Sequence, residues 1–160
     1  MKTERCHWTP SLRLGIAAGL FVLFAPSGQG AVPLPTGGEI ATVDFERHLM
    51  GLLTKAGCNM GSCHGSFQGK NGFRLSLFGY EPAMDYAALT RDNLGRRLNP
   101  QQPEASLLLL KATGQVPHEG GMRFGKGSWM YQMFVEWVRQ GAKWTPGSGT
   151  VERLEVVPGD

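Results

Sequence analysis

The 160-residue chain predicts a small, mostly α-helical domain, and three observations carry that expectation. Apolar residues recur every three or four positions over 44–56 and 129–140, the spacing of helices with one buried face. Shorter apolar blocks, 84–91 and 104–111, are set apart by Pro82, Pro100, Pro103 and several glycines, residues that punctuate helices. Strand-like alternation is confined to two brief stretches, 73–78 and 151–157, and no stretch shows an internal repeat.

The elements follow in order. Residues 1–30 open with Lys2, Arg5 and Arg13. An apolar run over 14–25 follows, then Pro26-Ser27-Gly28-Gln29-Gly30. A basic start, an apolar middle and small residues at Gly28 and Gly30 form the pattern of a secretory signal peptide cleaved after Gly30. The run is well short of the roughly 20 residues a membrane helix needs. The expectation is therefore a periplasmic or cell-surface protein with no membrane span after cleavage. Cys6 precedes the run, so it is not a lipid-attachment cysteine. Three of the 16 basic and one of the 13 acidic residues lie in this leader, which leaves the rest near +1. No basic stripe with interleaved aromatics is present, which excludes a nucleic-acid-binding face.

Residues 31–43 hold prolines and glycines at Pro33, Pro35, Gly37 and Gly38 and read as an extended linker. The domain proper is expected over 44–144. Its first helix, 44–56, carries the stripe Phe45, Leu49, Leu52, Leu53 and Ala56, with Thr42 or Asp44 as cap and Gly57 after its end. His48 beside that stripe is read as a half-exposed helical residue. The segment Phe73, Leu75, Leu77 alternates with Arg74, Ser76, Phe78 and suggests a short extended piece lining an apolar pocket. Leu107 to Leu110 predict a short helix buried all round. The last helix begins after Ser128, buries Met130, Phe134, Trp137 and Val138, and ends at Gly141. Residues 145–160 read as a linker.

The chemistry lies in Cys58-Asn59-Met60-Gly61-Ser62-Cys63-His64-Gly65. Two thiols with a histidine directly after the second are the pattern of covalent c-type haem attachment, usually with two residues between the cysteines; here there are four. Each thiol can join one vinyl group, and His64 can ligate the iron from beneath. Gly61, Ser62 and Gly65 let backbone approach a flat macrocycle. Two other readings use the same residues. A Cys58–Cys63 disulfide is sterically reasonable but gives His64 no reason to be there. A zinc site could use Cys58, Cys63, His118 and a fourth ligand. Either would make the chain a non-redox structural or interaction module of a cell-surface protein.

Under the haem reading, the cofactor is a single covalent haem c, and it forms much of the core of so short a domain. The second axial ligand is expected from the loop before the last helix, which holds His118 and Met122. An imidazole suits either oxidation state, and a thioether favours ferrous iron. An open site is the third option. Arg96 and Arg97 are candidate propionate contacts, or else solvated charges. No distal Arg/His pair at readable spacing supports peroxidase-like catalysis. The expected role is thus an electron carrier rather than an enzyme, with an unidentified redox protein as partner.

The chain resembles the planctomycete-type cytochrome c-like domain. The resemblance rests on Lys55 to Gly65, Gly69-Lys70-Asn71-Gly72-Phe73-Arg74-Leu75-Ser76-Leu77, Gly95-Arg96-Arg97, Pro103 to Lys111, Val116-Pro117-His118 and Trp137-Val138-Arg139-Gln140-Gly141-Ala142. It covers roughly 44–144. It implies an exported, small cytochrome c-like helical fold wrapped around one haem. The family uses this domain at the N-terminus of much larger proteins, often before an immunoglobulin-like domain. Val151 to Gly159 resembles the first strand of such a domain, which would make this chain a truncated member. The four-residue spacer departs from ordinary cytochromes c, although some multihaem cytochromes share it. Small cytochromes have Met-Pro where this chain has Val116-Pro117, and that difference favours His118 as the sixth ligand.

Overall fold

The computed structural model describes residues 30–156. The expected signal peptide, apart from Gly30, lies outside the described residues, as do Val157 to Asp160. Among the described residues no helix is long and apolar enough to cross a membrane.

The fold is mostly α, and its core is organised on the last helix. This helix, α4 (Trp129–Arg139), starts where the Ser128 side chain accepts from the Tyr131 amide. Phe134, Trp137 and Val138 are buried as expected. Tyr131, Met133, Val135 and Glu136 are buried too, while Met130 is only half-buried. A one-faced stripe predicts less burial than this because α4 is covered on several sides. It packs against the N-terminal hairpin, the first helix, the Pro103–Ala105 turn and α3 (Leu107–Ala112). The Trp137 ring meets Phe45 at 5.5 Å and Tyr86 at 6.4 Å, and its indole N–H donates to the Lys143 carbonyl.

The first helix is a π-helical turn, Phe45–Leu49, running into α1 (Met50–Lys55). Every residue of the expected stripe is buried. Asp44 is the cap, accepting from the amides of Glu46 and Arg47. The helix ends in a Schellman turn. Gly57 adopts φ +76°, its amide donates to the Thr54 carbonyl and that of Cys58 to Leu53. This turn is what places Cys58 at the mouth of the next loop. The same closure ends α3, with Gly114 at φ +71°. There the amides of Gly114 and Gln115 bond to Lys111 and Leu110, and the chain is launched toward His118. Helix α2 (Pro82–Thr90) begins at a proline, earlier than the periodicity suggests, because proline suits a first helical position.

Several expectations are corrected. Residues 31–43 are not a free linker. Val32–Pro33 (β1) pairs antiparallel with Glu39–Ile40 (β2), and Val32 and Val43 enter the core. Gln140 fastens this segment by accepting from the Val43 amide and donating to the Ala41 carbonyl. The prolines and glycines there make a hairpin turn rather than slack. Nor do residues 145–150 hang free: Asp44 accepts from the Thr145 amide, and Glu46 accepts from the Gly147 amide and the Trp144 indole. Residues 151–156 are exposed and form no strand. Finally, residues 73–78 do not form a strand with one buried face. Leu75 is buried, but Leu77 is 48% exposed in a 3-10 turn, Leu77–Gly79. Buried Ser76 sets this register, because its amide and hydroxyl both donate to the buried carboxylate of Asp85. In the leucine run, Leu109 alone is fully buried, and its three neighbours are half-buried.

Candidate functional site: a paired-imidazole centre

The loop after α1 folds tightly on itself. The His64 amide donates to the Cys58 carbonyl, and the amides of Cys63 and Gly65 both donate to Met60. A Cβ on Gly65 would run into the Asn59 carbonyl, so only glycine allows this closure. The four-residue spacer is thereby taken up as a compact turn that returns His64 to the backbone of Cys58. Asn59 is fully buried within it. Its amide nitrogen donates to Thr54 Oγ1, and its Oδ1 has no partner among the described residues.

Cys58 and Cys63 are both free thiols, with no disulfide between them. Burial pushes the Cys58 thiol up to about 11. Nearby Arg123 opposes the rise and Cys63 adds to it. Cys58 is therefore protonated at neutral pH and is not a nucleophile by itself.

His64 is held from two sides. Its Nδ1 lies 3.0 Å from the Phe73 carbonyl, which can only accept, so Nδ1 carries the proton. The Phe73 ring tilts against the imidazole at 4.4 Å, and the Arg97 guanidinium lies 4.5 Å over that ring. Burial lowers the His64 pKa below its ordinary 6.5. The Phe73 bond opposes this, while His118, Arg97 and Lys70 add to it by repulsion. The ring is neutral at pH 7, the form that binds metals.

His118 sits in a turn closed twice, by the Gly121 amide to the His118 carbonyl and by His118 Nδ1 to the Gly121 carbonyl at 2.8 Å. This imidazole lies parallel to that of His64, within 8° and at 6.3 Å between centroids. Neither Nε2 has a hydrogen-bond partner among the described residues. The two histidines picked from sequence, 54 positions apart, are therefore brought together. Met122, in the same loop as His118, is 68% exposed.

The remaining candidates are placed elsewhere. Arg97 is buried and donates to the carbonyls of Ala88, Asp92 and Gly72. This differs from the expected propionate contact, because its fork is already filled by backbone. Arg96 is exposed. His48 is a half-exposed helical residue whose Nδ1 accepts from the Asp44 amide. Among the described residues no three His, Cys, Asp or Glu side chains converge as a metal cage, which is what a zinc site requires. A haem iron needs only two protein ligands.

Sequence reasoning passed over Arg123 and Lys111. Lys111 donates to the Pro117 carbonyl, and Arg123 donates to those of Ala56 and Gly120. No signal marked them, because backbone carbonyls, which every residue supplies, are their partners. No family model, no curated protein and no solved structure matches the chain.

Proposed function

We propose that this chain is an exported cytochrome c-like domain that carries one covalent haem and transfers single electrons. The observation that supports this best is the imidazole pair. Two parallel rings each commit Nδ1 to a carbonyl and leave Nε2 free, and one of them directly follows a free thiol. The uncovered apolar side chains of Met60, Leu77, Phe78 and Met122 belong to the loops around these groups. Such a set suits an apolar ligand surface.

Cys58 and Cys63 would hold the group covalently, and His64 and His118 would ligate its iron. When bound, the haem supplies one-electron exchange between ferric and ferrous iron. The chain's own part is to keep both ligands fixed. Each Nδ1–H bond to a carbonyl orients its ring and raises the basicity of the opposite nitrogen. Phe73 and Arg97 brace His64, and the closed turn 118–121 holds His118. Rigid ligands leave little to rearrange when the charge changes.

The test is expression in a host with a haem-maturation system. The purified protein should be red, with Soret and α bands that survive acid–acetone extraction and a haem-sized addition to its mass. Recovery of a folded, colourless protein from such cells would overturn the proposal.

A further inference from the structure

We infer that Arg123 is the positioning residue that holds His118 opposite His64. This rests on the reading of the two histidines as iron ligands. The side chain bridges the two loops of the site. Nε donates to the Ala56 carbonyl at 2.7 Å, two residues before Cys58. Nη1 donates to the Gly120 carbonyl at 3.1 Å, two residues after His118. No other side chain among the described residues hydrogen-bonds to both segments.

Arg123 itself stands on a rigid base. Its amide donates to the Ala112 carbonyl at 2.7 Å, at the end of α3. The next residue, Phe124, is buried and stacks on Phe134 of α4 at 5.6 Å, within 10°. A fork anchored in the core thus fixes the end of the attachment helix and the His118 turn relative to each other. Gly57 makes room for the fork and Gly120 for the ring it positions. A Cβ on Gly57 would stand 2.6 Å from Arg123 Nη2, and one on Gly120 would stand 2.9 Å from the His118 ring. Lys111 secures the other flank of His118 through Pro117, but that bond is exposed and joins α3 only to the loop that follows it.

The planar fork is essential, since one ammonium cannot reproduce two fixed N–H directions. With Arg123→Gln, His118 should leave and return freely. The ferric protein should then gain a high-spin band, and the ferrous protein should bind carbon monoxide within mixing time. The parent should remain low-spin and bind it slowly. Arg123→Lys should fall between. Amide exchange over 114–122 should quicken on the order of tenfold in Arg123→Gln, with 129–139 unchanged. Arg123→Lys keeps the charge and most of the packing stem, and it is the variant to read if the glutamine protein does not fold.

Spectra, carbon monoxide binding and loop exchange all equal to the parent's would overturn the inference. If the parent itself is colourless, the haem proposal fails instead. The exchange measurement then decides alone: a quickened 114–122 segment upholds the clamp, and an unchanged one overturns it.

Discussion

His64 and His118 hold their imidazoles parallel within 8° and 6.3 Å apart, each tied through Nδ1 to a backbone carbonyl. His64 comes from the turn that ends α1, and His118 comes from the turn after α3. The pair exists only because two Schellman closures, at Gly57 and Gly114, aim these loops at each other.

Replacing His118 tests the pair directly. His118→Ala should leave a coordination position open and give a high-spin ferric spectrum. His118→Met should restore a six-coordinate iron and raise the reduction potential, because a thioether favours the ferrous state. Equal potentials for the parent and the methionine variant would remove His118 from the iron.

Under the proposed function, each thiol should supply one of the two attachment bonds. Cys58→Ser and Cys63→Ser should each leave one thioether and a shifted α band, and the double variant should lose its colour to acid–acetone. Cys58 packs against the apolar core and burial holds it protonated, while the Cys63 Sγ lies at an exposed contact with Ser62, so Cys63 should carry most alkylation by iodoacetamide in haem-free protein. Peptide mass mapping after a brief pulse reads this. Equal labelling of both positions would contradict the burial seen here.

Much of this was legible in the sequence, for identifiable reasons. The first-helix stripe from Phe45 to Ala56 could be read because one face is buried and the other is wet. Residue 118 could be read because a histidine between proline and glycines has few structural uses. The hairpin over 32–40 was hidden, since its two-residue strands leave no periodicity to see. The role of Arg97 was hidden for another reason. A cation whose partners are backbone carbonyls of Gly72, Ala88 and Asp92 leaves no partner residue type in the sequence. Arg123 escaped in the same way.

Arg97 offers a clean separation of structural and ligand-binding roles. Arg97→Ala would strand three carbonyls and take the guanidinium off the Phe73 ring. A loss of about 2–4 kcal/mol follows for a buried, charge-assisted set of bonds, read as a lower urea midpoint in haem-free protein with the slope unchanged. Arg97→Lys should recover less than half, because its single ammonium cannot fork. A haem-free variant as stable as the haem-free parent, with only the potential of the haem-loaded form altered, would restore Arg97 to the propionates.

The acid response of the haem-free protein should come in two stages, and its sign can be worked out group by group. His48 lies below its ordinary 6.5, first through burial and then through repulsion from Arg47, with Asp44 opposing. An unfolded chain therefore takes up that proton first, and stability falls as pH drops just below 6.5. Protonation also competes with the Asp44 amide for Nδ1. His64 titrates in the same sense. Asp44 behaves differently. Burial alone would raise it, but hydrogen bonds from Ser148, Arg47 and Thr145 outweigh burial and hold it below 3.8. Its contribution is complete above that pH and is lost as pH falls further. Asp85, raised by burial, works the other way and relaxes as acid is added, which flattens the profile between the two stages. Asp44→Asn should keep the helix cap and abolish the lower stage. Asp44→Ala should cost about 1 kcal/mol at pH 7 through the lost cap. His48→Gln should shrink the upper stage. Urea midpoints measured from pH 8 to pH 3 give all three results, and a stability that rises on acidification through pH 6 would contradict the assignment of His48.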